Sequence, residues 1–128
     1  MSSYLLVFLG AGIGGTLRHG VNVGCARMCG AAFPWGTLTV NVVGSFLMGA
    51  IAAWLALRGD EGWSQPLRLF LTTGILGGFT TFSAFSLDAV MLWERGQAGL
   101  AMAYVGASVV LSIVGLLAGL ALIRTFTA

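Results

Sequence analysis

Four apolar stretches, each long enough to cross a bilayer, account for most of this 128-residue chain. A spanning helix needs about 20 mainly apolar residues, and the stretches cover about residues 4–23, 35–57, 67–93 and 98–123. Hydrocarbon offers the backbone no hydrogen bonds, so each such segment is expected to satisfy its own N–H and C=O groups as a helix. Charged residues make up only 8% of the chain, where a soluble domain carries about 25%. Ten charged side chains could hardly cover a water-facing surface. The expected class is therefore an all-α integral membrane protein forming a single transmembrane domain over residues 1–128.

Turn residues divide the spans at Gly30 to Pro34, at Arg58-Gly59-Asp60-Glu61-Gly62 and at Glu94-Arg95-Gly96-Gln97. Loops this short make neighbouring helices antiparallel. The first stretch has no basic residue before it and no small-residue cleavage pattern after it, so it reads as a retained helix. The six cations are all arginines and are scattered, which leaves no basic patch for nucleic acid. Arg58, Arg68 and Arg124 fall on one side, Arg27 and Arg95 on the other, with Arg18 inside the first span near the second side. That balance gives the positive-inside rule little to act on. Copies inserting both ways, or a fixed topology set by something else, both remain open.

The third span contains an anomaly. Gly77-Gly78-Phe79-Thr80-Thr81-Phe82-Ser83-Ala84-Phe85-Ser86 puts two adjacent glycines and four hydroxyls where lipid favours a plain helix. Non-helical backbone at membrane depth survives only where protein buries it or where it lines a polar cavity. The run predicts a helix broken near its middle, and it marks the expected site. Two polar stripes accompany it. Thr37, Asn41 and Ser45 lie four apart in the second span, and Tyr104, Ser108 and Ser112 four apart in the fourth. Asn41 is either a donor to a pore or glue between helices. Phe82 and Phe85 are packing residues or rings that turn their positive edges to an anion.

Other features carry less. Gly10-Ala11-Gly12-Ile13-Gly14-Gly15 matches a dinucleotide fingerprint in form, but no βαβ unit surrounds it, so it reads as close helix packing. Gly44, Gly49, Gly115 and Gly119 read the same way. Cys25 and Cys29 are a metal pair, a disulfide, or two small residues on one helix face; nothing completes a tetrahedral site, and a helical disulfide at that spacing is strained. Arg18 gives a positive potential at the mouth of an anion path or reaches to headgroups, and His19 reads as interfacial. No set of nucleophile, base and acid is present, so catalysis has no support. Four helices alone leave little room for an internal water path, which favours a homo-oligomer for any transporter.

Taken together, these motifs resemble the Fluc/CrcB fluoride channels. Gly77 to Ser86 is similar to the broken third helix of that family. Gly36-Thr37-Leu38-Thr39-Val40-Asn41 is similar to its second-helix motif, and Gly12-Ile13-Gly14-Gly15-Thr16-Leu17-Arg18 to its first-helix pattern. The resemblance covers the whole chain. It implies an antiparallel, dual-topology homodimer in the bacterial inner (plasma) membrane, with two fluoride pathways and a structural sodium ion on the dimer axis. Backbone carbonyls of Gly77 and Thr80 would hold the sodium. Asn41, Phe82, Phe85, Thr81, Ser83, Tyr104, Ser108 and Ser112 would line the fluoride pathway, with Arg18 at the vestibule. Three positions depart from the family pattern: Ala84 stands where many members have Thr, Asp88 where many have Glu, and His19 where an aromatic is common.

The chemistry agrees with that expectation. Fluoride is small and strongly hydrated, so a path must replace its water with neutral donors that do not trap it. Passive, fluoride-selective export that relieves toxicity is the expected function. Small proton-coupled multidrug exporters share the length and the four spans, but they need a carboxylate within the membrane, usually in the first helix. The first span here has no Asp or Glu. A non-transporting subunit packing through its glycines is the third alternative.

Overall fold

The computed structural model describes residues 2–58 and 64–127. The expected turn at Gly59 to Gly62, with Asp60 and Glu61, lies outside the described residues. The elements are α1 (Ser3–Cys29), α2 (Trp35–Arg58), α3 (Ser64–Arg68), a π-helical segment (Leu69–Leu76), α4 (Gly77–Phe79), α5 (Phe82–Glu94) and α6 (Ala98–Thr127). The third span thus comprises α3 through α5.

Among the described residues, three segments are long and apolar enough to cross a membrane: Trp35–Leu57, Gln65–Glu94 and Ala98–Phe126. The expected first span is not among them. α1 is long enough at 27 residues, but Arg18, His19 and its many glycines dilute its hydropathy. It is still part of the bundle, because it packs along the π-helical segment and α4. α1 also continues to Cys29, past the expected end at Val23. Its Ser2 cap accepts from Leu5 N–H at 3.1 Å, and Gly30 closes it with a positive φ of 80°. Both cysteines are free, which removes the disulfide reading.

The turn between the third and fourth spans is built from local chemistry. Gly96 takes a φ of 78°. Its N–H reaches Trp93 O, and Gln97 N–H reaches Leu92 O, both at 3.0 Å. That pattern satisfies two end carbonyls of α5 and turns the chain within three residues into α6.

Two pairings hold the bundle. α2 packs along α6, and α1 packs along the third span. Glycine permits both. A Cβ on Gly10 would sit 2.7 Å from Phe70 O and 2.8 Å from the Gly74 Cα, and one on Gly14 would run into Ile75 O. Backbone therefore lies directly on backbone, the contact that drives helix association in lipid. On the other side, Gly49 faces Leu116 and Gly119 faces Phe46 in the same manner. Few residues are buried within one chain. Val40, Leu55, Leu92 and Tyr104 form the deepest packing, while only 11% of the most apolar stretch of α6 is covered. Most of its surface is left for lipid or for a second chain.

Candidate functional site

The break falls at Thr80 and Thr81, not at the paired glycines. Gly77–Phe79 stays helical. Thr80 (φ −87°, ψ 159°) and Thr81 (φ −153°, ψ 124°) are extended, and α5 starts at Phe82. The glycines serve approach instead. A side chain on Gly78 would collide with the Ala11 backbone of α1, whereas Gly77 is exposed and meets only Thr72 O at 3.5 Å.

Side chains compensate the interrupted backbone. Thr80 N–H and Thr80 Oγ1 both donate to Leu76 O, at 3.0 and 2.9 Å. Thr81 caps α5 by accepting from Ala84 N–H at 3.1 Å. The Asn41 amide closes on Thr81 from α2: Thr81 N–H donates to Asn41 Oδ1 at 2.8 Å, and Asn41 Nδ2 donates to Thr81 O at 3.0 Å. A backbone N–H only donates and a carbonyl only accepts, so this pairing fixes the orientation of the amide. One N–H of Nδ2 remains to serve another acceptor. In an unbroken helix Thr81 N–H would bond to Gly77 O; here that carbonyl has lost its donor.

A groove of about 400 Å³ opens beside this clamp, walled by α2, the break with the start of α5, and α6. It is lined by Asn41, Thr80, Thr81, Phe82, Phe85, Ser108 and Ser112 among the residues singled out from sequence. Ser45 of the second-span stripe and Gly44, read from the sequence as a packing glycine, line it as well; Met48 was missed, although it follows Asn41 by seven positions and so shares its helix face. Leu116 extends the series Tyr104, Ser108, Ser112 by one further step of four. Gly44 is small where Thr80 needs room, since an added Cβ would meet the Thr80 methyl group.

Ser108 is the distinctive member. Its side chain is 5% exposed, and its hydroxyl has no hydrogen-bond partner. A buried hydroxyl left in this way costs about 1–3 kcal/mol. The positive end of α5 faces the same space, which favours negative charge there. Among the described residues no charged side chain lines the groove.

Phe82 and Phe85 have ring centroids 5.4 Å apart at 48°, but their settings differ. Phe85 is buried, while Phe82 is 77% exposed. The remaining expected residues lie outside the lining. Ser83 is exposed, with Oγ 3.3 Å from Thr81 Oγ1. Tyr104 is fully buried against Phe85 and Phe33, and its hydroxyl donates to Asp88 Oδ2 at 3.2 Å. The shorter acid at position 88 therefore does reach a partner. Arg18 sits half-buried on α1, and the groove lining contains no α1 residue.

Comparison with known proteins follows the same line. The family described as CrcB-like protein, Camphor Resistance (CrcB), matches residues 5–120. A protein of Nitrobacter hamburgensis named fluoride-specific ion channel FluC 2 is 59% identical over 125 residues, covering 98% of this chain and 99% of that one. A fluoride-specific ion channel FluC of Rhodopseudomonas palustris is 60% identical over 125 residues, with the same coverage of both chains. Another of that name from Cereibacter sphaeroides is 58% identical over 128 residues, covering all of this chain and 99% of its own. With the broken third span, the facing polar stripes and a match running nearly end to end, the chain belongs to the CrcB-like family.

Proposed function

We propose that this chain is a passive fluoride channel, not an enzyme, and that it lowers cytoplasmic fluoride by letting the ion leave down its gradient. The observation carrying this reading is the Ser108 hydroxyl, buried without a partner in the wall of the groove that Asn41, with one amide N–H left over, also lines. Together with Ser112 these supply neutral donors in an otherwise apolar passage. Fluoride accepts strong hydrogen bonds, and donors without full charge let it leave as well as enter. The names of the relatives point to the same ion. A proton-coupled exporter is less well supported, because Asp88, the lone acid well inside the described spans, is engaged by Tyr104.

The working unit in this proposal is an antiparallel homodimer of dual topology in the bacterial inner membrane. A groove open along one side and a largely exposed Phe82 are what a second copy would cover. A structural sodium ion on the dimer axis fits the residues present. Gly77 O has lost its helical donor, Gly77 is exposed, and Thr80 is extended, so backbone oxygens of Gly77 and Thr80 would hold it. Among the described residues no three His, Cys, Asp or Glu gather into a side-chain site, so backbone ligation is the chemistry on offer. A bound sodium would supply a fixed positive charge beside the anion path.

The test is fluoride and chloride efflux from liposomes holding the purified chain, followed with ion-selective electrodes. Fluoride efflux far above chloride is expected, together with loss of dimer or flux when sodium is replaced by a large organic cation. Equal efflux of both anions, or none, would refute the channel assignment.

A further inference from the structure

A second recess of about 330 Å³ lies between α2 and the beginning of the third span, lined by Met48, Ala52, Leu55, Arg68, Thr72 and Thr73. It adjoins the groove, because Met48 lines both. From the middle of the span, where Asn41 meets Thr81, the groove runs along α2 to Met48, and this recess continues it toward the N-terminal end of the third span. Arg68 closes α3 at that end. Its carbonyl accepts from Thr72 Oγ1 at 2.7 Å. Arg68 and Thr73 are exposed, and among the described residues neither is in an ion pair or a side-chain hydrogen bond. A guanidinium and a free hydroxyl thus stand at the outer end of a passage whose inner part holds only neutral donors.

We infer that the Arg68–Thr73 recess is a collecting site for small hydrated anions at one mouth of the path. This rests on the channel reading above and gives it an electrostatic entrance. The charge is placed where it enriches the anion without trapping it, since the recess is open and water screens it. In dilute salt a unit charge about 5–7 Å from a passing anion enriches it about three- to fourfold. The same chemistry would suit a lipid phosphate, and the two sources respond differently to aqueous salt.

Fluoride efflux from liposomes should be measured for the full chain and for Arg68→Gln, Arg68→Lys and Arg68→Glu, at total salt of about 10 mM and about 1 M, where the Debye length falls from roughly 30 Å to 3 Å. Expected is a threefold to fourfold loss for Arg68→Gln in dilute salt that vanishes at 1 M, near-native flux for Arg68→Lys, and a larger loss for Arg68→Glu. Unchanged flux for Arg68→Gln in dilute salt overturns the inference while leaving the channel reading in place. So does an equal loss at both salts, which would mark a structural role. A loss that follows phosphatidylglycerol content, against phosphatidylcholine alone, and ignores aqueous salt would assign Arg68 to headgroups. Absence of fluoride efflux from the unaltered chain would overturn both.

Discussion

Replacing Ser108 by alanine should separate stability from transport. The substitution removes one oxygen from a side chain that is 5% exposed and has no hydrogen-bond partner in the fold. An unsatisfied buried hydroxyl costs about 1–3 kcal/mol, so its removal should leave stability unchanged or raise it by up to about 2 kcal/mol. Transport should move the other way. A hydrogen bond to a charged partner contributes about 1.5–3 kcal/mol, and losing that much at the barrier lowers flux about 10- to 150-fold. Thermal unfolding followed by size-exclusion chromatography reads the first quantity, and fluoride-electrode efflux reads the second. A lowered melting temperature together with lowered flux would show that the hydroxyl is structural. Native flux would mean that Ser108 does not meet the ion.

Asn41→Ala should behave differently, because its amide is engaged in the fold. Two bonds to the nearly buried Thr81 backbone are lost, which should destabilise the protein by about 2–4 kcal/mol and reduce flux together; native melting behaviour would disprove the clamp. Gly14→Ala drives a methyl group into Ile75 O and should cost at least 1–3 kcal/mol. Gly12→Ala, whose new methyl meets nothing within 4 Å, should be neutral in the same unfolding assay, and similar losses in both would refute the proposed α1 packing.

Much of this arrangement is legible in the residue order. Apolar length gives the helices, and four-residue spacing puts Asn41, Ser108 and Ser112 toward one groove. The position of the break is not legible locally. Gly77 and Gly78 carry the low helix propensity, yet they remain helical because the span must pass close to Ala11 of α1. The helix breaks because the Thr81 backbone finds another partner in Asn41, forty residues earlier, while the Thr81 hydroxyl caps α5. No local pattern shows a partner at that distance. Tyr104 illustrates the same limit: its spacing aligns it with the two serines, but ring packing with Phe85 and Phe33 takes it inward. The last turns of α1, as far as Cys29, are not legible because Arg27 and the residues around it dilute the apolar signal that marks a crossing helix.

The π-helical segment Leu69–Leu76 has a consequence for how this family's length can drift. A π turn carries an extra residue relative to an α turn, so it is what a one-residue insertion leaves when the helix on either side must keep its phase. Losing a single residue between 69 and 76 would restore α bonding and leave Arg68 in the same phase around the axis relative to Gly77. The break, its threonines and the clamp from α2 would keep their setting. A one-residue change in the segment is thus absorbed where it occurs, and both the mouth of the passage and its centre keep their facing.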